Sequence, residues 1–518
     1  MTSFTPDVTP RRRFLYCLSP FRLCTFYPAA VLLAGLLAAQ IIATLQVYLS
    51  DRALYHTLAV IKDAGYLIVP NEQIMGLLNE LAPAVYGGFF FTLSVGAGIS
   101  VLSFAAAWIW DRILSCRNTL LIPLLLFWAV FIVAANWNGI SPMITAYLAV
   151  IPPLVFCLTL RWMPQQREGT PPWNSALIHL VTIALLASLW APQMKKGDLF
   201  LNLRDSLLLS NTFGTAINDF YYRYTLYPAE VFKSLDQKLL KTASLDQVEK
   251  EPLRRLLTEK LLAYDYLPID GKGEVDLKIG ESGGELKFEN SGRVILKTTL
   301  NDFLSRPAHI LKQFSSKTDR HFLFRQFTYY GLLTGFPVTL YLFLYTMLLV
   351  PLAWYIDPKT ASVTAAIFCF LAGVSLLIPL WIGHEQTIEK DHVDRLLRSD
   401  RWQERVAALK LVRQNWLDVS HVPSYRSMLS SPHIPERYWL AKALSVSRSH
   451  ETYEDLLRLL DDPSSSVACM AFEALGRRGD RHAVPEILKR IETSDHWYPQ
   501  WYAYRALKAL GWKQTGSG

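Results

Sequence analysis

The side chains equipped for chemistry gather in two places. The denser is 218–228, where Asn218, Asp219, Tyr221, Tyr222, Arg223, Tyr224 and Tyr227 stand within eleven residues. Asp219 with Glu230 and Lys233 supplies the charges for acid–base work, yet no nucleophile accompanies them. Tyr222 and Arg223 suit docking better, since tyrosine offers rigid amphipathic contact area and arginine a charged anchor. The same residues also suit lipid headgroups, where each can keep a polar tip in water. The second place is the C-terminal block, in which Lys410, Lys442, Glu473 and Lys508 recur among Trp402, Trp416, Tyr438, Trp439, Trp497, Tyr498, Trp501, Tyr502 and Tyr504. Near the end, Trp501, Arg505 and Lys508 fall on one helical stripe, opposite Ala503, Ala506, Leu507 and Leu510. Trp, Tyr and Arg concentrate at interface hot spots. A protein partner is therefore expected to meet Tyr438, Trp439, Lys442, Trp497, Trp501, Arg505 and Lys508, together with Tyr222 and Arg223. A solvated face or the capping end of a repeat array would carry a similar stripe.

Other chemistries lack their residues. The six cysteines form no CxxC pair or Cys/His cluster, so no metal site or disulfide framework is expected. No phosphate-binding loop, GxSxG, HExxH or dinucleotide-binding glycine turn occurs, and no cofactor is expected. The net charge of +8 comes without a basic stripe, which argues against a nucleic-acid partner. The apolar runs contain no Asp or Glu, whereas ion-coupled carriers and proton relays need an ionisable group in the membrane. His179 is the exception; with His56 and His384 only at run ends, it is expected to bond a neighbouring helix.

The elements that must position these residues follow from hydropathy. Hydrophobic residues make up 51% of the 518, charged ones only 19%, and the charges collect in separate blocks: the profile of a polytopic membrane protein with polar appendages. Apolar runs stand at 27–49, 85–110, 120–135, 144–160, 176–190, 327–356 and 360–383. The last two, separated only by Asp357, Pro358 and Lys359, form a helical hairpin, because in lipid each backbone amide must be bonded within its own segment. A double crossing returns the chain to the side it left, so the polar blocks 193–326 and 385–518 are expected to share a face. Gly87, Gly88, Gly96 and Gly98 mark where another helix can approach closely. Arg11, Arg12, Arg13, Arg22, Arg112, Arg117, Arg161 and Arg167 fall in one set of short loops, against Arg52 and Lys62 in the other, which favours a cytoplasmic N-terminus. Arg11 to Leu15 also has the look of a twin-arginine export motif, although a basic flank accounts for it. Lys195, Lys196, Arg320 and Arg325 weigh against this orientation, but long domains translocate largely regardless of charge. Both polar blocks are then extracytoplasmic, on the cytoplasmic (inner) membrane.

The block 193–326 reads as α+β. Helical stretches are expected at 218–241, 239–264 and 301–314, and three alternating runs between glycine turns, at 275–279, 285–289 and 293–299, predict a meander. The block 385–518 carries an internal repeat with a period of about 31–35 residues. Its second helices overlay as 405–412, 437–444, 468–475 and 503–510, aligning Ala408, Leu440, Ala471 and Ala506, and likewise Val412, Leu444, Leu475 and Leu510. The stretch Asp462-Pro463-Ser464-Ser465-Ser466-Val467 with Ala471, Ala474, Leu475 and Gly476 resembles HEAT-like repeats of the phycobilisome-lyase type, over about 390–512, a quarter of the chain. The resemblance implies an α-solenoid that binds partners along an extended surface; it implies no bilin chemistry.

The expected architecture is a mainly α polytopic membrane protein. It comprises a basic cytoplasmic N-terminus (1–26), five transmembrane helices (27–192), an α+β domain (193–326), a transmembrane hairpin (327–384) and a HEAT-like repeat domain (385–518), seven spans in all. The function expected of it is non-enzymatic: a membrane scaffold or assembly subunit that holds a protein partner on its repeats and touches lipid. The alternative is a membrane enzyme or lipid or small-molecule transporter with a site lined by Asp219, Tyr222, Arg223 and Glu230.

Overall fold

A computed structural model describes residues 26–114, 121–137, 139, 141–164, 173–195, 199–269, 271, 274–382, 393–422 and 424–515. The basic N-terminal segment, Cys116, Arg117, Arg167, Lys196 and His384 lie outside the described residues. The principal helices are α1 (Tyr27–Asp63), α2 (Leu81–Arg112), α3 (Leu121–Ala135), α4 (Pro142–Trp162), α5 (Trp173–Lys195), α6 (Thr212–Tyr224), α7 (Glu251–Ala263), α8 (Pro307–Thr318), α9 (Phe322–Tyr355), α10 (Pro358–Ser375), α11 (Trp402–Gln414), α12 (Ile434–Leu444), α13 (His450–Leu459), α14 (Ser465–Arg478), α15 (Val484–Thr493) and α16 (Trp497–Ala509). Five strands interrupt them: β1 (Lys241–Gln247), β2 (Tyr266–Pro268), β3 (Leu277–Ser282), β4 (Glu285–Asn290) and β5 (Arg293–Thr299).

Among the described residues, six helices are long and apolar enough to cross a membrane: α1, α2, α4, the Ala176–Gln193 part of α5, α9, and Pro358–Leu380. The chain is thus a mainly helical protein of membrane type. α3, expected as a span, is apolar but only 15 residues long, short of the roughly 20 that a hydrocarbon core of about 30 Å requires.

The chain divides into two compact units. The first comprises Met1–Ala43, Gly88–Pro192 and Leu323–Ser375. Its packing depends on small residues. α2 and α9 each contain a wide π-type turn, Thr92–Gly96 and Gly331–Gly335. The two helices meet almost backbone to backbone, so that a Cβ on Gly331 would stand 2.3 Å from the Ser94 carbonyl oxygen. Gly98 faces the Gly331 backbone, one of the close approaches expected from sequence. His179 on α5 bonds the Tyr341 hydroxyl on α9 at 2.9 Å, a helix-to-helix contact as expected.

The second unit comprises Thr44–Gly87, Gln193–Phe322 and Leu376–Gly518. Its sheet has the order β2-β1-β3-β4-β5, parallel about β1 and antiparallel from β3 to β5. The meander expected at 275–299 is β3–β5. The helix expected over 239–264 begins instead with strand β1, whose Lys241 to Leu245 are all buried, and only the later part, α7, is helical. Pro307 divides the helix expected at 301–314, because proline lacks an amide donor and suits a first helical turn. Leu257 and Leu261 of α7 and Phe303 and Phe314 after β5 cover Ile279 and Phe288 of the sheet in one apolar core.

In the C-terminal part, α11 packs on α12, α12 on α14 and α14 on α16. Ala408, Leu440, Ala471 and Ala506 are all buried there, as are Val412, Leu444, Leu475 and Leu510. Two arginines, Arg405 and Arg437, make matching bonds. Arg405 reaches the Ser399 carbonyl and Glu436, and Arg437 reaches the Ser431 carbonyl and Asp462. Helix α14 ends on Gly479 in the left-handed region (φ +80°), where a side chain would be strained. The segment after α1 joins this array: the Asn71 amide donates to the Ile491, Glu492 and Ser494 carbonyls at 2.9–3.0 Å. Gln514 holds both the amide and the carbonyl of Leu67.

Candidate interaction cleft

The residues singled out by chemistry come together inside the second unit, where segment 199–230 lies against the C-terminal helices. A π-type turn at Arg204–Leu208 delivers the first contact. Arg204 and Asp205 are both buried and paired at 2.9 Å. The Arg204 guanidinium lies over the Tyr438 ring at 4.3 Å, and Asp205 accepts the Trp439 indole N–H at 2.8 Å. Lys442 and Lys410 stand over the Trp439 ring at 4.6 and 5.0 Å. Burial pushes the Lys442 ammonium below the ordinary lysine range.

Helix α6 follows, capped by Asn211, whose side chain accepts from the Gly214 amide at 2.7 Å. Its inner face lies on α14 and α16. Asn218 donates to Ser466 at 3.2 Å, Tyr222 stacks on Tyr498 at 3.9 Å with the rings 11° apart, and Arg223 pairs with Asp495 at 3.3 Å. Beyond Asp219 and Arg223 opens a cleft of about 650 Å³, walled by Asp461, Asp462 and Ser465 before and within α14, Arg490 of α15, and Asp495 and His496 before α16. Asp461 accepts two bonds from Arg490 at 2.8 and 3.0 Å. Burial pushes the Asp219 carboxyl up against the opposing pull of Asn218, Ser465 and Arg223. Burial, then the Arg223 charge, push His496 down to about 4, so its ring is neutral at pH 7. Because Nδ1 accepts the Tyr498 amide at 3.1 Å, the ring proton sits on Nε2. The cleft therefore presents the Arg223 and Arg490 guanidiniums beside the Asp219, Asp461 and Asp495 carboxyl groups, an arrangement for recognising a polar, charged segment. Among the described residues no group of three or more His, Cys, Asp or Glu is placed to hold a metal ion.

The structure places the expected partner residues as follows. Tyr438 and Trp497 are each 2% exposed. Trp439, Lys442 and Tyr222 hold the chain's own 199–230 segment or its supports. Lys508 pairs with Asp265 at 2.9 Å, and Trp501 lies under Arg505 at 4.5 Å and Lys233 at 5.4 Å. Arg223 and Arg505 remain exposed. Of the alternative set, Asp219 and Arg223 line the cleft; Tyr222 stacks away from it, and Glu230 is taken up by Lys233 and the Leu239 amide. No spacing or motif in the sequence groups Asp461, Arg490, Asp495 and His496. No protein-family model, curated protein or solved structure matches the chain.

Proposed function

We propose that this chain is a non-enzymatic, seven-span scaffold or assembly subunit of the cytoplasmic membrane, whose C-terminal HEAT-like solenoid holds a protein partner on the extracytoplasmic face. The observation that carries the reading is how the array treats segment 199–230: it grips a stretch of chain through stacked aromatics and paired charges, which is how a solenoid takes a peptide. The matching bonds of Arg405 and Arg437, one period apart, support the repeat. The cleft beside α6 is the part of that surface still open, and a partner segment with charges of both signs fits it.

Seven spans are supported by parity. Thr44–Gly87 and Gln193–Phe322 belong to one compact unit, and such a unit occupies one side of a bilayer. The chain between them then crosses an even number of times. Helices α2, α4 and α5 give three crossings, so α3 supplies the fourth; its 15 residues span about 22 Å and cross by local thinning of the bilayer. The arginine bias of the short loops puts the N-terminus in the cytoplasm.

The test is photo-crosslinking of full-length protein in its native membrane from a benzophenone amino acid at position 461 or 495. One discrete protein adduct is expected, lost when Arg490→Glu reverses the charge of the cleft wall. Adducts with lipid alone, or none, would overturn the scaffold reading.

A further inference from the structure

Segment 199–217 presents an outer face without a single exposed charge. Its only ionisable side chains, Arg204 and Asp205, are buried and paired with each other. Helix α6 turns Gly214 and Asn218 inward and leaves Phe213 76% exposed and Ile217 45% exposed. Phe220 continues the same stripe at helical spacing and also borders the cleft, and Phe200 and Leu201 are exposed earlier in the segment. An exposed apolar stripe of this kind on a protein surface marks a membrane or protein contact.

Two observations choose the membrane. The apolar stretch Ala176–Gln193 ends six residues before Leu199, so the segment follows closely on an apolar span. The far end of α6 packs on the first turns of another apolar span: Phe220 and Tyr224 meet the Tyr86 ring at 5.8 and 4.9 Å, and a Cβ on Gly87 would stand 2.8 Å from the Tyr224 carbonyl oxygen. The far end of the segment is therefore tied to the start of the apolar span α2, and its near end follows the apolar stretch of α5 in sequence.

We propose that α6 is an interfacial helix, lying in the plane of the bilayer surface with Phe213 and Ile217 at the boundary between headgroups and acyl chains. Its opposite face carries Tyr222 and Arg223 to the C-terminal helices, so the same 13 residues join lipid to the cleft. An amphipathic helix of this type buries its apolar face about 5–10 Å deep. Because Phe213 and Ile217 are exposed, substituting them leaves the packed core untouched.

The test uses full-length protein in proteoliposomes of phosphatidylcholine and phosphatidylglycerol containing no other protein, with a benzophenone amino acid at 213 or 217. Irradiation is expected to add the mass of one phospholipid to most of the crosslinked protein, and a fluorescent amino acid at 213 to be quenched at least twofold more by 5-doxyl lipid than by aqueous iodide. A crosslinked dimer would assign the face to a second copy and overturn the proposal. So would quenching by iodide alone, or, in native membranes, an adduct exclusively with another protein.

Discussion

Single residues bear loads that sequence patterning understates. Arg437 and Asp462 form a bidentate pair whose side chains are 10% and 4% exposed. Removing one partner leaves the other charged and dry, so Arg437→Ala is expected to destabilise the full-length protein by about 3–5 kcal/mol in thermal unfolding, and pairing Arg437→Met with Asp462→Leu to restore much of the loss. His496 sets a pH response. Its folded pKa lies near 4, below the ordinary value of about 6.5. The unfolded chain therefore binds a proton first as pH falls, and stability drops between about pH 6.5 and 4. Asn can take over the cap that His496 provides to the Tyr498 amide, so His496→Asn is expected to blunt this loss by on the order of 2 kcal/mol, read as a smaller fall in Tm between pH 7 and 4.5 than wild type shows. An equal fall in both proteins would remove His496 as the cause.

At the scale of elements, two contacts decide the packing. The meeting of α2 with α9 has no room for a methyl group at Gly331, where the carbonyl of Ser94 is in the way. Gly331→Ala is expected to cost about 1–3 kcal/mol and to shift purified protein toward aggregation on size-exclusion chromatography, whereas Gly283→Ala, in an open turn, leaves the membrane helices unaffected. The C-terminal helices depend on segment 199–230 to cover Tyr438, Trp439 and Tyr498. Fragment 393–515 expressed alone is accordingly expected to be insoluble, and Tyr222→Ala to loosen the full-length chain by roughly 1 kcal/mol through the lost stack. A soluble, cooperatively folding fragment would show that the segment is dispensable.

For the molecule as a whole, residues 250 and 500 fall in one compact unit with Asn71, whose amide clasps the end of α15. Impermeant thiol reagents are expected to label cysteines placed at 63, 250 and 500 from the same side of intact vesicles. Labelling of 63 from the opposite side to 250 would remove α3 as a crossing.

The apolar runs, the strands of the meander and the register of the C-terminal helices were all legible in the chain, because bilayer thickness and helical or strand period act on neighbouring residues and leave a local imprint. Strand β1 was not, since its burial on both faces is supplied by β2, β3 and the helices around it, and Lys241-Thr242-Ala243-Ser244 taken alone carries no alternation. Tyr438, Trp439 and Trp497 stand out by type alone as residues expected to meet a protein partner. Only the tertiary structure decided that the first contact they make is with residues 204–227 of the same chain, because such a pairing joins positions more than two hundred residues apart and depends on chain return, not on any spacing. The cleft follows from that return: Asp219, Asp461, Arg490 and His496 become neighbours once α6 lies on α14 and α16, and no local pattern in the sequence marks them as a group.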